Sequence, residues 1–251
     1  MRDALDSALV ERAAALLEAA GHVVVFTGAG MSAESGVPTF RDAMTGLWSR
    51  FSPEDLATPE AWERDRETVW RWYAGRAAAV REVAPNDGHR AVAELGDRLT
   101  SRGGALSVVT QNVDDLHERA GSEVAGHLHG SLFQPRCEVC DRPAGGELSV
   151  APDLPHCELC DGPIRPGVVW FGEMLPAGAW RAAEQAFAAA DVVLIVGTSG
   201  LVYPAASLPI EAAERGTPII EVNPEPSTLT PTTDCFLPAA AGTALPALLR
   251  V

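Results

Sequence analysis

The apolar positions of the chain follow two rhythms, one typical of helices and one typical of buried strands. Over residues 3–20, apolar side chains recur every three or four positions, which predicts an amphipathic helix that ends near Gly21. Short continuous runs rich in β-branched residues are typical of strands buried on both faces. We predict such strands at residues 22–27, 106–110, 192–196 and 218–222.

Helical stretches separate these strands, as at residues 180–189 before the third strand. Alternation of helix and strand predicts an α/β fold with a Rossmann-like, doubly wound parallel sheet. Ligands of such sheets bind beyond the carboxyl ends of the strands. Polar residues lie at the carboxyl ends of the four predicted strands: Thr27, Gln111-Asn112, Gly197-Thr198-Ser199 and Asn223.

Two stretches do not fit the sheet and are interpreted as insertions. Residues 37–85 are rich in Trp, Arg and Glu at helical spacing, and residues 133–167 are rich in Pro, Gly and Cys. No repeat of fixed period or low-complexity linker divides the chain. We therefore expect residues 1–251 to form one catalytic unit.

Composition and charge narrow the functional classes. The chain of 251 residues is 47% hydrophobic and has a formal net charge of −15, which disfavours nucleic acid as a partner. It has neither an apolar run long enough to cross a membrane nor the order of residues typical of a signal peptide, so we expect a cytoplasmic protein. All 19 basic residues are Arg, and the absence of Lys excludes P-loop, kinase and pyridoxal chemistry.

A glycine-rich turn follows the first predicted strand. Gly28-Ala29-Gly30-Met31-Ser32-Ala33 matches G-x-G-x-x-G/A, a pattern that binds the pyrophosphate of dinucleotides. The pattern alone is also consistent with a tight turn without a ligand. Dehydrogenases carry an acidic residue about 20 positions later, after a second strand, and this chain has a loop there instead. The ordinary dehydrogenase arrangement is therefore in doubt.

Four cysteines have the spacing of a zinc ribbon. Cys137 and Cys140 form one C-x-x-C pair, and Cys157 and Cys160 form a second pair after 16 residues. Two disulfides are the alternative, but a cytoplasmic chain with a fifth cysteine, Cys235, disfavours them. Four thiolates leave no open position on the metal, so we predict a structural zinc ion.

His129 is the best-placed candidate for acid–base chemistry. A single His is more often structural, but Gln111, Asn112 and Asp114 follow the second strand and could hold a carboxamide and ribose hydroxyls beside it. An imidazole with a pKa near ~6.5 can accept a proton from a hydroxyl at neutral pH.

Together these motifs resemble the sirtuins, the NAD-dependent protein lysine deacylases. The resemblance rests on residues 28–41, Gln111-Asn112-Val113-Asp114, His129-Gly130, the four cysteines, Gly197-Thr198-Ser199 and Asn223-Pro224-Glu225. It spans nearly the whole chain. It implies a Rossmann-like NAD-binding domain and a small domain made of a zinc module (133–167) and a helical insertion (37–85).

The resemblance also implies that NAD is consumed as a co-substrate and that acylated-lysine proteins or peptides are the partners. The products would be nicotinamide and 2′-O-acyl-ADP-ribose, with His129, Asn112 and Asp114 as the catalytic residues. Phe40 and Arg41 would lie on a loop that closes over NAD. The remaining NAD-binding residues would be Gly28, Ala29, Gly30, Ser32, Ala33, Gln111, Gly197, Thr198, Ser199, Asn223, Glu225 and Ala241.

Tyr73 and Arg76 indicate which kind of acyl group the protein would bind. Residues three apart share one face of a helix, and an Arg fork with a Tyr hydroxyl can bind a carboxylate that acetyl lacks. The sirtuin branch that removes succinyl, malonyl and glutaryl groups carries this Tyr-x-x-Arg pair. An isolated pair would more simply be a packed Tyr beside a solvated Arg.

Two other functions are consistent with an NAD site. One is mono-ADP-ribosyl transfer to an amino-acid side chain, and the other is a non-catalytic NAD-binding scaffold, which would not need His129, Asn112 and Asp114. The sequence does not fix the oligomeric state, and a monomer is compatible with it. Nor does it rank the acyl groups or show what Gly200 does in the substrate channel.

Overall fold

A computed structural model describes residues 5–38 and 56–250. Its strands are β1 (His22–Thr27), β2 (Ala105–Thr110), β3 (Val124–His127), β4 (Arg136–Cys137), β5 (Ile164–Arg165), β6 (Val192–Val196), β7 (Ile219–Val222) and β8 (Cys235–Leu237). The α-helices described are α1 (Ser7–Ala19), α2 (Gly30–Ala33), α3 (Pro59–Arg64), α4 (Arg66–Glu82), α5 (Asp87–Ser101), α6 (Leu116–Arg119), α7 (Ala177–Ala189), α8 (Ser207–Glu214) and α9 (Ala241–Leu248). Short 3₁₀ helices cover Gly146–Val150 and Thr230–Thr232.

Six strands form one parallel sheet in the order β3-β2-β1-β6-β7-β8. Strands β2 and β3 extend the sheet on one side of β1. The chain then crosses to the other side of β1, where β6, β7 and β8 follow in order. The order therefore reverses between β1 and β6, where a doubly wound sheet opens a crevice. Thr27 at the end of β1 pairs with Thr110 on one side and Val196 on the other, so the three central strands end level.

The central strands of the sheet are buried on both faces, because their side chains are predominantly apolar. Alternate side chains of β1 face opposite ways: Val23 and Val25 pack with α1, α5 and α9, while Val24 and Phe26 pack with α7 and α8. All four of these side chains are fully buried. This explains why the strand sequences show continuous apolar runs rather than alternation.

A second core lies outside the sheet and is rich in tryptophan. Helices α3 and α4 contribute Trp62, Trp70 and Trp72, and the segment around β4 and β5 contributes Ile164 and buried cysteines. Trp70 Nε1 donates a hydrogen bond to the carbonyl oxygen of Ala151, which ties α4 to that segment. The described parts of residues 37–85 and 133–167 thus share one core, although they are distant in sequence.

The predicted parallel, doubly wound fold is confirmed. Strands 22–27 and 192–196 were predicted with the observed bounds, while the strands predicted at 106–110 and 218–222 differ by one residue at their first positions. The first helix is capped by Asp6 and ends at Ala19, with Ala20 rather than Gly21 as its C-cap, and the Gly21 amide donates to Asp191 instead. Within the described residues, no helix is both long and apolar enough to cross a bilayer.

Substitution of Phe187 tests the packing of α7 on the sheet. Its ring is buried and meets Phe26 edge to face, with centroids 5.6 Å apart. We expect Phe187→Ala to lower the free energy of unfolding by about 3–5 kcal/mol, because it removes a large buried ring. Glu184→Ala, on the exposed face of the same helix, should change it by less than about 0.5 kcal/mol. Urea denaturation of both variants measures the difference, and equal stabilities would contradict this packing.

Candidate active site

A cleft of about 1,090 Å³ opens at the carboxyl ends of the central strands and extends toward the second core. It brings together most of the residues predicted from the sequence. These are Gly28, Ala29, Gly30, Ser32, Tyr73, Arg76, Gln111, Asn112, Asp114, His129, Gly197, Thr198, Ser199, Asn223 and Glu225. Strand topology explains the gathering, because every turn that follows a central parallel strand emerges at this edge.

The turn after β1 lies directly against the turn after β6. The Gly30 amide donates to the carbonyl oxygen of Gly197 at 2.8 Å, and the Gly28 amide donates to that of Val196. A Cβ on Gly28 or Gly30 would lie within 2.8 Å of backbone atoms of Gly197 or Thr198. These two glycines are therefore required by the contact between the turns, whatever ligand the turn also binds.

Ser32, Asn112 and Asp114 form a buried polar cluster at the floor of the cleft. Ser32 Oγ donates to Asp114 Oδ2 at 2.9 Å and accepts from Asn112 Nδ2 at 3.2 Å. Burial raises the pKa of Asp114, and hydrogen bonds from the Leu116 amide and Ser32 offset part of that effect. Buried polar groups are costly unless paired, so this cluster keeps its geometry without a ligand.

Two buried histidines lie behind this cluster, and no pattern in the sequence indicates their position. His89 Nε2 lies 3.5 Å from Ser32 Oγ, and His117 Nε2 lies 3.1 Å from Thr27 Oγ1. Their rings meet edge to face at 4.9 Å. Burial lowers the pKa of His89 to about 4 and that of His117 to about 3. Both rings are therefore neutral at pH 7 and stabilise the cluster by packing and hydrogen bonding.

His129 lies in the cleft with a defined tautomer. Its Nδ1 is 3.0 Å from the carbonyl oxygen of Gln111. Since a carbonyl only accepts, Nδ1 carries the proton, and Nε2 is the basic nitrogen of the neutral ring. Burial lowers the pKa of His129, and the hydrogen bond to Gln111 opposes that effect. A neutral imidazole with a basic nitrogen can act as a general base.

The turns after β2, β6 and β7 are joined by side-chain amides. Gln111 Nε2 donates to Thr198 Oγ1 at 3.0 Å, and Asn223 Nδ2 donates to the carbonyl oxygen of Thr198 at 2.8 Å. Thr198 is thus held by amides from the turns that follow β2 and β7. These contacts fix the relative positions of three turns that line the cleft.

Tyr73 and Arg76 lie one turn apart on α4 and both line the cleft. Tyr73 is buried, and burial raises the pKa of its hydroxyl, which therefore remains protonated and able to donate. The Arg76 guanidinium lies 4.9 Å from the centre of the Trp72 ring. Burial lowers the pKa of Arg76, whereas the nearby Tyr73 and Asp114 oppose that change. Arginine stays charged in proteins even so.

Among the described residues, two that were predicted to bind NAD do not line the cleft. Ala33 is exposed and Ala241 is buried, and neither contributes to its wall. Phe40 and Arg41 lie outside the described residues. Conversely, the cleft is lined by residues that the sequence analysis did not single out, including those at 168–173 and 201–204. The apolar run Val168-Val169-Trp170-Phe171 after the zinc segment was the available signal.

The four cysteine sulfurs lie within 4.8 Å of one another, and all four cysteines are free. The Sγ atoms of Cys137 and Cys160 are 3.5 Å apart, and those of Cys140 and Cys157 are 3.7 Å apart. A tetrahedral zinc ion with bonds of about 2.3 Å requires sulfurs about 3.8 Å apart. The donor set and its spacing fit zinc, and four thiolates make the ion structural. The predicted zinc ribbon is confirmed, and the four cysteines form no disulfide in the structure.

The two cysteine turns are near copies of one another. Residues 137–143 have the sequence CEVCDRP and residues 157–163 have CELCDGP. In each turn the Asp after the second Cys, Asp141 or Asp161, has a positive φ, and its amide donates to the carbonyl oxygen of the first Cys. Each turn is closed by an antiparallel bridge to its Pro. The metal site is therefore built from two equivalent halves.

Replacing one cysteine inside the cluster and one outside it tests whether the cluster binds the zinc ion. We expect Cys157→Ser to lose zinc on dialysis and to lower the melting temperature, because the segment shares its core with α3 and α4. Cys235→Ser, at a buried cysteine in β8 far from the cluster in sequence, should keep one zinc ion per chain. Metal analysis by mass spectrometry measures both. Unchanged zinc in Cys157→Ser would contradict the assignment.

Comparison with known proteins agrees with this geometry. The family model described as "Sir2 family" matches residues 28–204. An "NAD-dependent protein deacylase" of Mycobacterium tuberculosis is 52% identical over 233 residues, which are 91% of this chain and 96% of the relative. One from Thermus thermophilus is 53% identical over 222 residues, covering 88% of this chain and 87% of the relative.

A solved structure described as a Sir2 homolog–NAD complex is also similar. It superposes with a TM-score of 0.89 at 46% identity, over 96% of this chain and 92% of that one. The family model covers well over half of the chain, and the relatives exceed half identity across nearly all of it. The chain therefore belongs to the Sir2 family, the sirtuins.

Proposed function

We propose that this Sir2-family NAD-dependent protein deacylase removes acidic acyl groups, such as succinyl, malonyl and glutaryl, and also acetyl, from lysine side chains of proteins. The observation that carries the proposal is the position of Tyr73 and Arg76. Both line the cleft that also contains His129, and their helix lies in the second core rather than on the sheet. A protonated hydroxyl and a guanidinium thus face the space beside the proposed base.

The energetic argument favours an acyl carboxylate over a neutral acyl group. A guanidinium in a confined site is partly stripped of water, and a carboxylate offsets that loss by forming a bidentate pair. Acetyl has no group that can do so. The Trp72 ring supports Arg76 and holds its guanidinium at the wall of the cleft.

We propose that the predicted NAD residues hold the co-substrate along the same cleft. The buried Asn112, Asp114 and Thr198 provide polar groups at the strand ends, and Gly28–Ser32 provide the closely approaching turn. When bound, NAD supplies the ribose carbon that takes the acyl oxygen as nicotinamide leaves. The chain provides the pocket for nicotinamide, a hydrogen-bonded floor of Ser32, Asn112 and Asp114, and a base.

His129 is proposed as that base. Its Nδ1–H is committed to Gln111, so Nε2 can accept a proton from a ribose hydroxyl. General-base assistance of this kind contributes roughly 10²- to 10⁴-fold in rate. Asn112 and Asp114 are proposed to orient the ribose and the nicotinamide carboxamide.

Replacing Arg76 tests the acyl preference. We expect Arg76→Met to cost about 1.5–3 kcal/mol of transition-state binding on a succinyl-lysine peptide, roughly a 10- to 150-fold loss in kcat/KM, because one charge-assisted contact is removed. Activity on the matching acetyl-lysine peptide should change much less. Mass spectrometry of both peptides with NAD measures the two rates.

Arg71→Met is the matched control. Arg71 lies on the same helix but is exposed and pairs with Glu67, so its loss should leave both rates near the wild-type values. Equal losses on the two peptides in Arg76→Met would contradict the acyl assignment. A heavier protein product, in place of free lysine and acyl-ADP-ribose, would instead indicate ADP-ribosyl transfer.

The His129 assignment predicts a pH dependence. Because burial places its pKa below 6.5, the ring is neutral at pH 7, and the acidic fall in kcat/KM should come as the pH drops through that lower pKa. His129→Tyr should abolish deacylation while circular dichroism and zinc content stay unchanged. Turnover retained by this variant would remove His129 from the mechanism.

A further inference from the structure

His127 ends strand β3, two residues before His129, and it lies behind the cleft rather than in its wall. Its Nδ1 is 3.1 Å from the carbonyl oxygen of Asn112, and its Nε2 is 2.6 Å from Glu118 Oε1 on helix α6. The ring therefore joins the turn after β2 to the short helix that follows that turn. About 18% of the His127 side chain is exposed, against 41% for Glu118, so the pair is only partly solvated.

Both partners of His127 are acceptors. A backbone carbonyl cannot donate, and an ionised carboxylate cannot donate either. Both ring nitrogens must therefore carry protons, which makes the ring an imidazolium. His129 differs, since its Nδ1 alone has a carbonyl partner among the described residues, that of Gln111. Two histidines two residues apart thus contact adjacent carbonyls of one turn in different charge states.

We propose that His127 is a positioning residue of the NAD site: its imidazolium, held by Glu118, fixes the Asn112–Asp114 segment from behind and places a positive charge next to Asp114. Asn112 and Asp114 face the cleft and share Ser32, so a shift of their backbone would displace both side chains. The proposal rests on NAD-dependent deacylation and applies to every acyl group.

The charges around His127 support this role. Burial disfavours its charged form, but the Glu118 carboxylate, the Asn112 carbonyl and Asp114 outweigh burial and raise the pKa of His127. In turn, the charge of His127 offsets part of the increase that burial causes in the pKa of Asp114. His117 is a further titratable group, and the charge of His127 contributes to lowering its pKa, so His117 is neutral at pH 7. On α7, which packs against β3, the charged residues Arg181 and Glu184 are exposed.

The sign of the pH dependence follows from these states. The active form has His129 neutral and His127 charged. Activity should therefore rise as the pH passes the lowered pKa of His129 and fall as it passes the raised pKa of His127. The proposal assigns the alkaline limb of the profile to His127.

Two substitutions separate the charge from the hydrogen bonds. Glu118→Gln keeps a hydrogen-bond partner for His127 Nε2, but a Gln amide can donate as well as accept, so a neutral His127 ring can keep both of its hydrogen bonds. The pKa of His127 should therefore fall, and the alkaline limb should move to lower pH. His127→Gln removes the titrating group, so the alkaline limb should disappear and kcat/KM for NAD at pH 7 should fall about 10- to 100-fold, the scale for a small misplacement of reacting groups. His22→Gln, at the opposite end of the sheet, is the control.

The readouts are pH profiles of kcat/KM for NAD with acetyl and succinyl peptides, and ¹⁵N NMR of the histidine rings. We expect equal effects on both peptides, because His127 acts on the dinucleotide site. Failure of the acyl preference would instead appear as a wild-type enzyme that does not distinguish the peptides. An unchanged alkaline limb in both variants, or a neutral His127 ring in the wild type at pH 7, would overturn the proposal. Melting curves and zinc content check that Glu118→Gln is folded.

Discussion

The contact between the turns after β1 and β6 is the constraint on which the site depends. Gly30 donates to Gly197 across this contact, and Gly197 adopts a φ of +62° with Met31 N only 2.4 Å from the position of a Cβ. No side chain fits between the two backbones. The close approach brings the turns after the central strands within reach of one dinucleotide, and the amides of Gln111 and Asn223 then hold Thr198 between them.

The second core connects the cysteine cluster to the end of the cleft that Tyr73 and Arg76 line. Arg165 on β5 makes two hydrogen bonds to Glu173 and lies 3.8 Å from the centre of the Trp170 ring, while Glu173 also accepts from the Trp170 amide. Trp170 in turn lies against Trp62 and Tyr73, at 5.6 and 6.5 Å between ring centres. Through Arg165, the zinc segment thus contacts Trp170 and Glu173, which line the cleft.

Much of the fold was predictable because its signals are local. Continuous apolar runs identified the four inner strands, and the spacing of the cysteines identified the zinc ribbon. Strand β3 was missed because Val124-Ala-Gly-His127 is short and holds only one β-branched residue. The apolar run at 168–171 indicates burial but does not show that these residues line the cleft. The pair His89 and His117 depends on contacts between distant segments, which no local pattern encodes. The domain limits at 37–85 and 133–167 remain predictions.

The cation that we propose to bind the acyl carboxylate, Arg76, is a guanidinium, in a chain without a single lysine. An amine placed there would react with thioester donors of the acyl groups that we propose the enzyme removes, and its charge would be lost as an amide. A guanidinium is far less nucleophilic, because it remains protonated at cellular pH. With arginine at this position, the proposed acyl site is therefore resistant to the acylation that its proposed substrates carry.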